Sequence, residues 1–580
     1  MGRLRARVRR QGGAALRSPL GWVLAAVALL HVVGIGWGLP ASDGWDNDGV
    51  APRDFLAGLV ETVTPGHYFT YPPVHLFLLG VLTLPITITA LIRSVSLGPA
   101  DVLHEILKVP YMTAMSYVAR LTTVAMSLGM VGSVAKIGEE LRGRRAGVCV
   151  AAVCGVNWTL TYYAKTSNLD VPYLFWGCLG LLALVRAIAR HEPRRLRTVA
   201  VMAVLAVGTK DQAYAMFLLG APLALALWVL SDGWARANVR GILKEIAIAA
   251  AIGTLLFLAV DGVLFNPSGF RARMAFLAGP ASQDFAHYSN DALGRALVTK
   301  DTILLFDRYY PKIFGVLVVL GLGMHVAQRG DRPKRLAGMV PLFAAISFTV
   351  LFNWVARRTE HRFLLPQMVL WSVYAGIALE PLVFGFRGWR RLVAHGIVST
   401  GFALAIFACA AVDANLLLDP RYDAEAWLGA NVAAGDTVEV YGLNVYMPRF
   451  PPQARVVRVG HEPVDRRNPL PGVEEVQDRF GRARERAPRF IAVSQGWAWR
   501  YLLDPRAWGA EGYILPPTQI ATGNDQDGTA YFQRLLRGEG GYRRVHTSAW
   551  TSRVWPRLDI HASVAREIWI YEREGAATPR

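Results

Sequence analysis

The chain has 580 residues, 53% of them hydrophobic and 18% charged, with a mean hydropathy of +0.29. That balance excludes an ordinary soluble enzyme and points to an integral membrane protein with sizeable soluble parts. The formal charge is +19, but most of the arginine sits in short loops between apolar stretches. Such placement belongs to membrane topology and lipid headgroup contact, and it argues against nucleic acid as a partner. The four cysteines, Cys149, Cys154, Cys178 and Cys409, all lie inside apolar stretches. They read as small buried apolar residues, with no disulfide framework and no zinc spacing.

The first apolar stretch runs from about Pro19 to Pro40, long enough to span a bilayer core. It follows MGRLRARVRRQGGAALR, rich in Arg and free of acids, and precedes SDGWDNDGVAPRD, with Asp43, Asp46, Asp48 and Asp54. It reads as a retained anchor, cytoplasmic at its basic end, with the acidic loop on the outer side. Further apolar stretches lie near 112–135, 146–164, 171–190, 197–230, 244–264, 311–328, 336–356, 361–382 and 392–412. Lys210 and Asp211 interrupt 197–230, which therefore reads as a helical hairpin with these charges at its tip. The basic loops 142–145, 190–197, 234–244, 328–335 and 386–391 fall on one side if there are about eleven crossings. Residues 72–92 are apolar enough to add another, but that would place every later basic loop outside. Pro72, Pro73 and Pro85, and the charged segment 93–111 behind them, favour an interfacial or re-entrant helix.

Soluble segments are the outer loops 41–71 and 265–310 and the tail 413–580. In the tail, DAEAWLGANVAAGDTVEVYG reads as helix, turn and strand. RFIAVSQG and REIWIYER read as strands, and TAYFQRLLRGEGGY as a helix ended by glycines. The expected fold is thus an α-helical polytopic membrane protein, residues 1–412, followed by a C-terminal extracytoplasmic α/β domain, 413–580.

Candidate chemistry lies at the outer rim. Asp170, in KTSNLDVPYLFW, is either a dipole partner at a helix N-terminus or the second member of a paired-carboxylate site. In such a site one acid serves as general base and another can hold a metal. Lys210 and the run ARRTEHRFLLP, with Glu360, His361 and Arg362, are either snorkelling charges or a phosphate clamp, lysine as point charge and arginine as fork. YPPVH, from Tyr71 to His75, is a helix-start signal, and His75 alone reads as structural.

In order, the chain carries the anchor, WDNDGVAP, YPPVH, YVARLTTVAMSLGMVGSVAKIGEELRGRRAG, the Asp-Val-Pro loop, the TK pair and EHRFLLP. Over about the first 385 residues this order resembles the GT-C superfamily of membrane glycosyltransferases. The nearest groups are the protein O-mannosyltransferase-like and aminoarabinose-transferase-like bacterial enzymes. The resemblance implies a sugar donor linked to polyprenyl phosphate, and transfer on the outer face of the bacterial cytoplasmic membrane to a protein, lipid or glycan. It assigns the catalytic role to Asp48, or failing it Asp46, and matches Asp170 to the second-loop acid. Lys210 and Arg362, with His361 beside it, fall near the donor phosphate. Tyr71, His75 and Glu360 are further candidates. A divalent metal, if used, would sit on Asp48 and Asp170; no other cofactor is expected. Relatives often carry Asp-Glu in the first loop, whereas here Asp48 precedes Gly49, which bears on metal and acceptor use. The rival expectation is a non-catalytic transporter of lipid-linked sugars, or a decayed transferase scaffold in envelope biogenesis.

Overall fold

A computed structural model describes residues 18–575 apart from 42, 47, 51, 465–471, 503–510, 515 and 517–524. In hydrocarbon a backbone must satisfy its own hydrogen bonds, so long apolar runs become helices. Among the described residues eight helices are long and apolar enough to cross a membrane. In chain order the helical elements are α1 Pro19–Val32, α2 Pro52–Val63, α3 Pro73–Arg93, α4 Val109–Arg142, α5 Arg144–Gly155, α6 Trp158–Tyr163, α7 Asp170–Ala189 and α8 Leu196–Val207. They continue with α9 Asp211–Ser231, α10 Val239–Val260, α11 Lys312–Val326, α12 Arg332–Ala356, α13 His361–Phe384, α14 Gly388–Leu417 and α15 Pro420–Asn431. The protein is a multi-pass membrane protein. The hairpin expected within 197–230 is present: α8 stops at Gly208, and Lys210 and Asp211 form its tip.

Residues 73–93 form one continuous helix, α3. Its start is tied to the α8–α9 tip by Val74 N–H donating to Gly208 O at 2.8 Å. Near the start of α4, Thr113 Oγ1 accepts from Ala41 N at 3.1 Å, just beyond α1. Both flanks of the 73–108 segment therefore lie at one end of the helical layer. A crossing by α3 would need a return crossing through a segment carrying Asp101, His104, Glu105 and Lys108, which hydrocarbon opposes. If α3 lies at the interface as expected, α5 and α6 count as one run broken before the helix cap Asn157.

The far ends of these runs carry the basic loops. Arg142 donates to Met324 O at 2.8 Å, Arg190 pairs with Glu140 at 2.6 Å, Arg197 pairs with Glu245 at 2.7 Å and Arg145 lies over Phe384. The loops expected on one side thus gather at one end, opposite Asp48, Asp170, Lys210 and Arg362. Close packing holds the layer together: a Cβ on Gly321 of α11 would sit 1.8 Å from Tyr374 O of α13, so only glycine permits this approach. Lys165, 1% exposed, ion-pairs with Asp413 and donates to Leu30 O and Val33 O at 2.7 and 2.8 Å. Removing one member of such a buried pair typically costs about 3–5 kcal/mol.

That pair sits at the expected start of the soluble tail, residue 413. With Asp413 neutralised by Lys165, α14 continues past 412 to Leu417, and the chain breaks only before Pro420, where Asp419 caps α15. Beyond it stand strands β1 Thr437–Tyr441, β2 Arg455–Gly460, β3 Val473–Gln477, β4 Phe490–Ser494, β5 Tyr542–Ser548 and β6 Ile568–Arg573. They form one sheet in the order β3-β2-β1-β4-β6-β5. The first four are parallel; β6 runs antiparallel to β4, and β5 to β6. Alternation along the strands feeds two cores: Tyr441, Ile491 and Trp569 on one face, Val438, Val440 and Ile570 on the other.

The connection between β5 and β6, residues 549–567, dips into the membrane module. Ile560, Val564 and Ala565 are buried in its core, Trp555 stacks on Phe407 of α14, and Asn415 donates to Pro556 O at 2.9 Å.

Candidate active site

The acidic loop between α1 and α2 is held from two sides. Arg120 of α4, 3% exposed, donates to Ile35 O and Trp37 O at 2.6 and 2.8 Å. From the C-terminal side Trp37 Nε1 donates to Asp419 at 3.2 Å, and the Arg421 guanidinium lies 4.1 Å over Trp45. The loop's acids then divide. Asp43 is structural, bound by Arg53 at 2.5 Å and Asn444 at 3.1 Å. Asp46 is buried and accepts from Tyr162 O–H at 3.0 Å and from Asp48 N–H at 3.3 Å. Asp48 forms an ion pair with Arg362 and accepts from His561 Nε2 at 2.9 Å.

These surroundings drive the neighbouring carboxyls apart. Burial raises the Asp46 carboxyl above its ordinary range, and the Asp48 charge adds to this against His561. Burial opposes ionisation of Asp48 too, but Arg362 and His561 outweigh it and hold Asp48 well below the carboxylate range. One carboxyl is biased toward its neutral form and the other is firmly ionised, which separates their chemical roles.

Gly49 runs alongside the second loop. It pairs with Asn168 across a short antiparallel bridge, and Val50 N–H donates to Ser167 O at 3.1 Å. A Cβ on Gly49 would lie 2.9 Å from Asp46 Oδ2 and 3.0 Å from Ser167 Oγ. A larger side chain at 49 would press on Asp46 and Ser167, whose side chains would have to move. The same pairing brings in Asp170, fully buried at the first turn of α7. Lys210 Nζ binds both its oxygens at 2.7 and 2.8 Å, and Gln212 Nε2 donates to it at 3.2 Å. Asp211 turns the other way, toward Arg273 at 3.3 Å.

The turn from α12 to α13 supplies the arginines. A π-helical turn, Thr349–Asn353, interrupts α12 before its last turn, Trp354–Ala356; Asn353 Nδ2 donates to Arg358 O and Phe363 O, both at 3.0 Å. Arg357 sits at φ 53°, left-handed and costly for arginine, a strain that surrounding structure must enforce. Beyond it Arg358 Nη2 donates to both oxygens of Glu360 at 2.7 and 2.9 Å, and His287 of the 265–310 loop reaches Glu360 at 3.1 Å. Burial opposes the Glu360 charge, yet these partners lower its carboxyl to about 2.

Asp48, Asp46, Asp170, Lys210, Arg362 and Glu360 converge. Tyr71 joins their periphery, its phenol pushed up to about 12 by burial and by the Asp48 charge. The His361 carbonyl accepts from Tyr309 O–H at 2.5 Å, and no side-chain hydrogen bond links its ring to Arg362. His75 does not join the group: it is buried in α3 with neither ring nitrogen hydrogen-bonded, in keeping with a structural role. Asp48 and Asp170, the expected metal pair, are each engaged by a cation, Arg362 and Lys210 respectively. Among the described residues no group of three or more His, Cys, Asp or Glu is placed to hold a metal ion.

Sequence reasoning missed His561. It lies 513 residues from Asp48, within the 549–567 connection. Its ring stacks on Tyr162 at 5.8 Å and 14°, and its Nδ1 meets Ser563 Oγ at 2.9 Å. Burial disfavours the imidazolium, but Asp48 more than compensates and raises the His561 pKa. No local pattern marks this histidine, which stands in an irregular segment with nothing around it to suggest chemistry.

No protein-family model matches the chain, and no curated protein matches its sequence. Solved structures do. ArnT from Cupriavidus metallidurans bound to undecaprenyl phosphate is 13% identical, with a TM-score of 0.50 over 97% of this chain and 99% of that one. The apo form of ArnT is 14% identical at a TM-score of 0.46, covering 83% and 94% of the two chains. The archaeal oligosaccharyltransferase AglB from Archaeoglobus fulgidus, in complex with an inhibitory peptide and a dolichol-phosphate, is 12% identical at a TM-score of 0.45, covering 95% and 88%. The likeness to undecaprenyl-phosphate-bound ArnT shows the fold, the one expected from the GT-C resemblance: a polytopic helical layer with a C-terminal domain containing a sheet.

Proposed function

We propose that the chain is an integral-membrane glycosyltransferase that moves a sugar from a polyprenyl-phosphate donor to an acceptor at the outer face of the membrane. The observation that carries this reading is the convergence of Asp48, gripped by Arg362 and His561, with the Asp170–Lys210 pair. Both lie at the end of the helical layer opposite the basic loops. A carboxylate beside several cations suits a reaction in which a phosphate leaves and an acceptor hydroxyl must lose its proton.

In this reading the donor phosphate enters beside Arg362, Lys210 and Arg358 and competes with Asp48 for the Arg362 fork. Loss of that partner restores basicity to Asp48. The acceptor oxygen then attacks the anomeric carbon, its proton passing to Asp48. The bond from that carbon to the phosphate oxygen breaks, and the phosphate departs with the electron pair, its charge met by Arg362 and Lys210. Asp46 and Tyr162 hold the loop, Tyr162 O–H donating to Asp46 at 3.0 Å. The test is donor-dependent transfer in membranes supplied with extracted lipid carriers, comparing wild type with Asp48→Ala. Equal transfer by both would overturn the reading.

His561 acts here as a positioning residue. Its imidazolium is stabilised by Asp48, so the charged pair exists below the raised histidine pKa, above the ordinary 6.5, and is lost as pH rises through it. His561→Gln keeps a neutral donor near Asp48 and is expected to remove that inflection from the pH profile of kcat/KM. A variant with the wild-type profile would show that His561 only packs.

Orientation follows from the Arg-rich loops. Cysteine labels at Gly435 and at Arg190 are expected to report opposite sides of the membrane, with Arg190 cytoplasmic. Labelling of both from the same side would reject the topology.

A further inference from the structure

A second site lies at the opposite end of the helical layer. Between the α7–α8 turn and the start of α10 is a groove of about 660 Å³, ample for a phosphodiester headgroup. Its walls are preformed. His191, in the left-handed region at φ 55°, bonds Asp232 at 3.1 Å and packs on Trp234 with ring centroids 4.4 Å apart. Asp232 in turn caps the short helix carrying Trp234 by accepting from Ala235 N–H at 2.9 Å.

The groove's charges do not cancel. Glu192 is taken by Arg195, and Glu245 by Arg197 at 2.7 Å. That leaves Arg194 and Lys244, both lining the groove, with no ion-pair partner among the described residues. Each lies within electrostatic reach of Glu245, so the two cations face one region. Leu243, next to Lys244 in the first turns of α10, and Leu230, at the end of α9 four residues before Trp234, are 58% and 71% exposed. Trp234, 39% exposed, stands where interfacial tryptophans are favoured.

We propose that this groove binds the phosphodiester of an anionic phospholipid, clamped by Arg194 and Lys244, with the acyl chains on the leucine surface. A free phosphate would satisfy the same two cations, but the exposed leucines give it nothing to bind, whereas acyl chains would cover them. The site requires headgroup depth only and is independent of the proposed transferase chemistry.

The full chain, purified in detergent and exchanged free of lipid, is titrated with phosphatidylglycerol or phosphatidylcholine and examined by native mass spectrometry. Wild type is expected to retain phosphatidylglycerol in preference to phosphatidylcholine. Arg194→Gln with Lys244→Gln is expected to weaken that retention by roughly tenfold or more, as two interfacial basic contacts are lost. Arg390→Gln with Arg391→Gln removes the same charge from another basic loop at this end and is expected to leave retention unchanged. Equal loss in both pairs, or none in the first, overturns the proposal. Displacement of the lipid by glycerol phosphate at matched headgroup concentration would assign the groove to a soluble phosphate and overturn the lipid assignment. If the double variant fails to fold, Arg194→Gln alone is read in the same way, with Arg194→Lys expected to restore retention.

Discussion

Asp48→Asn is expected to abolish sugar transfer without lowering the amount of protein in the membrane. Asparagine keeps the size of the side chain and can still accept from His561, so the segment from Ile35 to Asp48 retains its anchors at Arg120, Asp419 and Tyr162. What disappears is the proton acceptor, a loss typically worth a factor of about 10²–10⁴ in rate. Transfer rates at saturating donor and acceptor, with expression checked by immunoblot, measure it. Asp46 provides the internal comparison. It is taken up inside the loop by Tyr162 O–H and the Asp48 N–H rather than by Arg362, so Asp46→Asn is expected to retain much of the activity. Near-normal turnover by Asp48→Asn with a dead Asp46→Asn would reverse the assignment. Asp170→Asn is expected to impair transfer less than Asp48→Asn, because it loosens Lys210 rather than removing the base.

Arg362→Gln carries the second large effect. A charge-assisted contact to phosphate is worth about 1.5–3 kcal/mol, so apparent donor affinity is expected to fall roughly ten- to a hundredfold while acceptor KM changes little. Arg362→Lys is expected to recover only part of this, since a fork is exchanged for a point charge. Lys210→Gln is expected to weaken donor use in the same direction. Neither cation waits unpaired: Arg362 holds Asp48 and Lys210 holds Asp170. The donor must therefore share or displace existing partners, and the measured loss will fall toward the lower end of the range. Donor titrations with unchanged affinity in both variants would reduce these residues to snorkelling charges and remove them from the site.

Much of the architecture was legible in the amino-acid order because its signals are local. Apolar runs of about bilayer length become helices wherever water is absent, and Arg-rich loops mark one end of each run. The same local logic put Lys210 and Asp211 at a hairpin tip, and marked Asp48, Asp170 and Arg362 as charges at the rim of an apolar layer. Strands β1, β4 and β6 were readable from short apolar runs. Strands β2 and β5 were not, because arginine interrupts them: Arg458, buried in β2, is matched by Glu475 of β3 at 2.5 Å, and nothing in β2 itself foretells that partner.

The tertiary structure alone decided the pairings. Which acid of the first loop meets an arginine, and which is left biased toward its neutral form, depends on helices that begin hundreds of residues later. The extent of α14 depended on Lys165 neutralising Asp413 across the layer, not on the hydropathy of residues near 412. Gly49, which reads as a lost carboxylate, proved to be a point where two loops touch. His561 reaches Asp48 because the β5–β6 connection is buried in the helical module through Ile560, Val564 and Ala565. The physical reason is the same in each case. Hydropathy and charge asymmetry act on the segment that carries them, whereas the state of a buried charge is set by whichever opposite charge the fold delivers to it.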